Sequence, residues 1–237
     1  GRYAGLYVSR HVGDDMKLGL GRMTNMLASV PNFDYRAEGV PLVDLKLVDL
    51  PAEDLLVVTA GNIERNNDAI KQSIKNNQEW IKRTMEANNL EAAGPLRIIT
   101  TDFGAERYAF DVAVPVRRKG SSAPAAAAAP AAEGEDKDAV EAATPAPAFP
   151  VAAQGEPLKV KIPDGAPVQY LRTEPRRSAF ASYTGYMAEL DAVRNSLRAW
   201  SLTHGHEVTD RPFEIWKGGL DKSFTADGSY DVFWAVK

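Results

Sequence analysis

Leu55-Leu56-Val57-Val58-Thr59-Ala60-Gly61 is an apolar, strand-like run that ends on a glycine, and a second strand-like run ending on a glycine stands at Ala179-Phe180-Ala181-Ser182-Tyr183-Thr184-Gly185. Gly61 and Gly185 are 124 residues apart, and so are the prolines ahead of the two runs, Pro51 and Pro175. Before each proline lies a further strand-like stretch, with alternating Val43, Leu45 and Leu47 in one case and Val168 to Arg172 in the other. After each glycine the apolar period lengthens to that of a helix: Ile70, Ile74, Ile81 and Met85 first, then Leu190, Val193, Leu197 and Trp200. A proline-led strand follows in both places, Pro95-Leu96-Arg97-Ile98-Ile99 and Pro212-Phe213-Glu214-Ile215-Trp216. Each set closes on a strand carrying an acid, Asp111 within 110–114 and Asp231 within 230–234. Asp111 and Asp231 are 120 residues apart, as are Trp80 and Trp200.

Each copy therefore reads strand, strand, helix, strand, strand. An amphipathic helix must bury its stripe and a sheet must cover one face. The expected fold is α+β: two pseudo-symmetric modules, each an antiparallel sheet of about four strands packed on one long helix, with a ligand cleft between them. The halves are expected at 42–118 and 158–237, joined by an Ala/Pro-rich linker at 119–157. Within 123–153, 15 of 31 residues are alanine and 5 are proline, so neither a continuous helix nor a packed core is expected there. Residues 1–41 hold one predicted helix, with Met16, Leu20, Met23, Leu27 and Val30 on one face, Asp14 and Asp15 at its start and Pro31 at its end.

Composition excludes several chemistries. Lys plus Arg is 28 and Asp plus Glu 32, a net charge of −4 that speaks against direct nucleic-acid binding. Cysteine is absent, which removes disulfides, thiolate metal sites and cysteine nucleophiles. No run reaches the ~18 apolar residues of a membrane span. The Gly19-Leu20-Gly21 pair lacks the strand and lysine of a phosphate loop, and no Gly-x-Ser-x-Gly elbow occurs. In His204-Gly205-His206-Glu207 the spacing is wrong for a helical zinc motif, and a helix end capped by Gly205 is the expectation. Neither a metal nor a cofactor is expected.

The order of elements, with Tyr183-Thr184-Gly185-Tyr186, Arg211-Pro212-Phe213-Glu214-Ile215-Trp216 and Asp231-Val232-Phe233-Trp234-Ala235-Val236, resembles the GyrI-like (gyrase-inhibitor-like) effector-binding domain, which also forms the ligand-sensing half of multidrug-responsive bacterial transcription activators. Three features depart from that pattern: Ala235-Val236 replaces the usual Pro-Val ending, Asp231 replaces a glutamate, and the linker is long. Gly13-Asp14-Asp15-Met16 with Gly19-Leu20 is similar to the last helix of a polyketide-cyclase or START-like domain, which implies a domain upstream of Gly1. A cytoplasmic location is expected, or membrane anchoring if such an upstream part carries an anchor.

The resemblance points to a small-molecule site. Glu214 and Trp216 share one strand face, an acid beside an indole suited to an aromatic cation. The alternative for Glu214 is a solvated acid paired with Lys217 or Lys222. Arg97 is read as its counterpart in the first half. Asp231, which projects with Phe233, and its twin Asp111 are further candidates, the alternative being a strand-edge acid bonded to backbone or arginine. Tyr183 and Tyr186 flank Gly185 at the start of the second helix, where the family places an aromatic near its cleft, although core packing is an equal reading. Trp80, Trp200, Phe180, Phe213 and Trp234 are read as core.

The leading expectation is a module that binds bulky, apolar and in some cases cationic molecules, with Glu214, Trp216, Asp231, Phe233, Tyr183 and Tyr186 lining the cleft. On that reading Glu214→Gln weakens cationic ligands without unfolding the protein. Two alternatives follow from the resemblance: a hydrolase of cyclopropane-containing genotoxins, with Glu214 as base and Tyr186 as donor, and a regulator that acts on a protein partner.

Overall fold

The computed structural model of the chain describes residues 42–121 and 146–237, together with Leu20, Arg22 and Met23. Those three are helical and exposed. The remainder of the helix expected over 16–30, the START-like stretch and residues 122–145 of the linker lie outside the described residues.

The first half runs β1 (Leu42–Leu50), β2 (Asp54–Glu64), α1 (Asn67–Ala87), β3 (Leu90–Ala92), β4 (Arg97–Phe103) and β5 (Arg107–Arg118). The second runs β6 (Val168–Arg172), β7 (Arg176–Thr184), a short 3-10 turn, α2 (Leu190–Thr203), β8 (Phe213–Trp216), α3 (Gly219–Lys222) and β9 (Ser229–Ala235). The α+β class and the order of the main elements follow the sequence expectation; β3 and α3 are additional.

Local chemistry explains the two long helices. The Asn66 side chain accepts the Ala69 N–H and Asp68 stands in the first turn, so the exposed donors of α1 are met by oxygen and negative charge. Ile70, Ile74 and Ile81 then form its buried stripe. Leu190, Val193 and Leu197 do the same for α2, and Gly205, with φ of 81°, turns the chain out of it as expected.

The strands form a single nine-stranded sheet in the order β1-β7-β9-β8-β4-β5-β2-β6, with β3 added to β5. Each half lends its first strand to the other, since β1 pairs with β7 and β6 pairs with β2, while β4 and β8 join the halves at the centre. This exchange forces the sheet to curl. Six strand spacings separate β1 from β2, about 29 Å if flat, yet Leu50 and Asp54 are four residues apart and span at most about 14 Å.

The connectors 51–53 and 173–175 cross at the resulting mouth. They bond to each other there, Glu53 N–H to Thr173 Oγ1 at 2.9 Å and Thr173 N–H to the Glu53 carbonyl at 2.9 Å.

Helices cover one face of the sheet, over Leu56, Val58, Ile98, Val112 and Val232. The other face gathers Val48, Leu50, Phe180, Phe213, Ile215 and Phe233, and continues through Ile99 to Leu55, Val57 and Ala113.

The register corrects one sequence match. Ile99 pairs with Asp111 and Ile215 with Asp231, so Ile98, not Arg97, occupies the place of Glu214. Arg97 lies opposite Ile215 and faces away from the helices. A slip of one residue in a strand reverses its face, and the proline-led alignment had slipped by one.

Candidate ligand site

Glu214 sits where the halves meet, opposite Ile98 on the central strand pair and fully buried on the helix side. One carboxylate oxygen accepts Arg194 Nε at 2.6 Å. Arg194 comes from α2, inserted in the apolar stripe between Leu190 and Leu197, and is itself buried. Its guanidinium lies over the rings of Phe103 (5.2 Å) and Tyr108 (5.9 Å) from the first half. Burial opposes that charge, but Glu214, together with Tyr108 and Asp191, outweighs it and raises the Arg194 pKa further above the ordinary arginine range. Three buried polar atoms in this cluster have no hydrogen-bond partner: Glu214 Oε2, Arg194 Nη1 and Trp216 Nε1.

Aromatic rings surround the acid. Trp216, on the same strand face, meets Tyr230 edge-on at 5.6 Å, and Tyr230 stacks on Tyr183 at 5.7 Å. The Tyr230 hydroxyl donates to the Ser223 carbonyl. The Tyr183 hydroxyl donates to Glu189 at 2.8 Å and lies 3.3 Å from the Tyr186 carbonyl. Gly185 has φ of 153°, and a Cβ there would collide with the Tyr183 hydroxyl, so glycine lets this ring lie against its own turn.

Burial pushes the Tyr108 hydroxyl from 10.0 up to about 12, and burial also raises Tyr183 and Tyr230. The folded values lie above the unfolded one. The contribution of Tyr108 to stability is therefore complete below pH ~10 and is lost as pH rises through about 12, and those of Tyr183 and Tyr230 are lost in the same direction. In an alkaline titration these tyrosinates should appear together with loss of near-ultraviolet circular dichroism; gradual ionisation with the tertiary signal intact would contradict it.

The opposite face holds a different set. Asp231 is fully buried and accepts Ser182 Oγ at 2.6 Å, Lys217 Nζ at 2.9 Å and the Ala148 N–H at 2.6 Å. Phe233 packs with Phe180 (5.1 Å) and Phe213 (4.9 Å). Phe149, from the stretch in which nothing large was expected to be buried, lies 5.1 Å from Phe180 and 6.2 Å from Phe233. Asp111 pairs with Arg211 at 2.8 Å, the arginine-bonded role given as the alternative for it.

Near the crossing connectors Glu53 pairs with Arg97 through both carboxylate oxygens at 2.5 Å. A cavity of about 240 Å³ opens beside them, lined by Glu53, Asp54, Pro115, Arg117, Val151 and Leu158 among others.

The six residues singled out from sequence thus fall in three places. Glu214, Trp216 and Tyr183 share the helix-side cluster, Asp231 and Phe233 lie on the opposite face, and Tyr186 is half exposed in the turn before α2. Glu214 is paired with Arg194 rather than with Lys217 or Lys222. Arg194 and Tyr108 were missed. An arginine inside the apolar stripe of a helix was the available signal for the first.

No family model matches the chain, and no curated protein matches it. Among solved structures it is similar to the EcmrR–DNA complex determined by cryo-EM, with a TM-score of 0.53 and 13% identity over 98% of this chain and 69% of that one. The crystal structure of the EcmrR C-terminal domain gives 0.50 and 13% over 82% and 97%. A hydrolase from Listeria innocua gives 0.48 and 10% over 82% and 92%. At such identities the likeness is one of fold: the chain has the α+β fold of the EcmrR C-terminal domain, compatible with a GyrI-like fold.

Proposed function

We propose that the chain binds a bulky, aromatic, cationic small molecule at Glu214, between its two halves. One observation carries this reading: the buried Glu214 carboxylate already holds a cation, the Arg194 guanidinium, against two aromatic rings, and leaves its second oxygen unpartnered. A ligand cation that displaces Arg194 would meet the same acid with Tyr108, Trp216 and Tyr230 around it. Charge neutralisation and ring contact would set orientation, and aromatic burial at ~25 cal/mol per Å² would supply most of the affinity.

The test is thermal denaturation with tetraphenylphosphonium and with neutral triphenylphosphine oxide. A ligand at 100 times its Kd stabilises a protein by about 2.7 kcal/mol. The cation should raise Tm by several degrees and the neutral compound by less. The double variant Glu214→Leu with Arg194→Met, which keeps volume but removes both charges, should lose the cation's advantage. Equal shifts by both compounds in the parent protein would overturn the reading.

A further inference from the structure

The face turned away from the helices carries a second site, and part of this chain is seated in it. Residues 146–150 read Ala-Pro-Ala-Phe-Pro and have no regular secondary structure. Proline lacks an N–H, so Pro147 and Pro150 cannot donate. Ala148 donates its N–H to Asp231 Oδ2 at 2.6 Å, and Phe149 lays its ring between Phe180 and Phe233.

The seat is more deeply built than its occupant. Asp231, Phe180 and Phe233 are fully buried, whereas Ala148 and Phe149 are only half-buried. Ser182 and Lys217 bond the other oxygen of Asp231, so Oδ2 points to the segment while Oδ1 is anchored from behind. Lys46 Nζ stands 5.7 Å from the Phe149 ring centre and 5.4 Å from that of Phe180.

We infer that Ala148-Phe149 is a tethered occupant of a ligand site, and that the site accepts neutral aromatic amides once the segment leaves. The occupant defines the chemistry: one aryl ring over Phe180 and Phe233, and one N–H donor aimed at Asp231 Oδ2, separated by a single residue's backbone. Lys217 already balances Asp231 and Lys46 adds a positive charge over the rings, so an amide N–H fits where an ammonium would be repelled. A tethered group competes at an effective concentration on the order of mM, so free ligand binds the parent protein weakly. Glu214 faces the other side of the sheet, and this inference is independent of the reading given for it.

The probe is N-acetyl-Ala-Phe-amide, followed by NMR titration or calorimetry on the full chain and on Phe149→Ala. The variant should bind at least about tenfold more tightly than the parent, because its competitor is gone. N-acetyl-Ala-Ala-amide, which lacks the ring, and the analogue methylated on the alanine nitrogen should each lose most of that gain. Equal affinity for both proteins, or no binding to a folded Phe149→Ala chain, overturns the inference. Should that variant fail to fold, hydrogen exchange on the parent decides the matter. Saturating probe should expose the Ala148 amide while the amides of Val232 and Phe233 stay protected, and an Ala148 amide that stays protected would overturn it.

Discussion

Glu214→Ala should lower the stability of the protein by about 3–5 kcal/mol, the cost of leaving one member of a buried ion pair without its partner. For a chain of this size that corresponds to a fall in Tm of roughly 6–20 °C. The reason lies in the position of Arg194, which is buried, bonded through Nε to Glu214 at 2.6 Å, and flanked by aromatic rings rather than water. Removing the carboxylate strands a guanidinium whose Nη1 already lacks a partner. Glu214→Gln keeps the shape but not the charge, and should also destabilise. This replaces the expectation from sequence that glutamine would affect ligands alone. Removing both charges, as Glu214→Leu with Arg194→Met, should restore much of the loss, because desolvation of the pair disappears along with its attraction. Urea unfolding of the two single variants and the double variant measures the coupling, and additive losses would show that the pair does not act as a unit.

The second large effect is expected at Glu53. Its carboxylate is buried and grips Arg97 with both oxygens, in the fork geometry that makes arginine–carboxylate pairs strong. Arg176 stands close by: Arg97 and Arg176 lie 5.3 and 5.4 Å from the ring of Phe213. Burial lowers the Arg176 pKa, Glu53 and then Asp210 raise it and Arg97 lowers it, so Glu53 acts on two cations and shares the second with Asp210. Glu53→Ala therefore strips Arg97 of its paired acid and leaves Arg176 with Asp210 alone, and the loss should lie in the ~3–5 kcal/mol range. The backbone bonds between Glu53 and Thr173 survive the substitution, so the crossing of the connectors is kept and the effect is electrostatic. Arg97→Met in the Glu53→Leu background should recover part of it. A Glu53→Ala chain with an unchanged urea midpoint would mean that water reaches this pair.

The candidate site was legible in part. Alternation placed Glu214 with Trp216 and Asp231 with Phe233 on shared faces, since a strand has a period of two whatever it pairs with. It could not show that those two pairs lie on opposite faces of one sheet, because that depends on which residues stand opposite each other across β8 and β9. Arg194 escaped notice because an arginine is ordinarily read as surface even where it falls inside an apolar stripe, and its acid, Glu214, comes from another element. Phe149 was hidden for a similar reason: one aromatic among alanines and prolines has no local pattern, and its partners Phe180 and Phe233 are far along the chain.

Amino-acid order alone determined the main strands, the two long helices and the α+β class, because these rest on spacings of two and about 3.6 residues and on the placing of proline and glycine. Tertiary structure alone decided that β1 and β6 cross to the other half, that the sheet curls under the strain of two short connectors, and which acids meet which cations. Strand exchange leaves the local pattern unchanged, since an edge position offers the same alternation to either neighbour. Ion pairs between residues 20 or 44 positions apart are likewise set by where elements pack, not by their sequence neighbours.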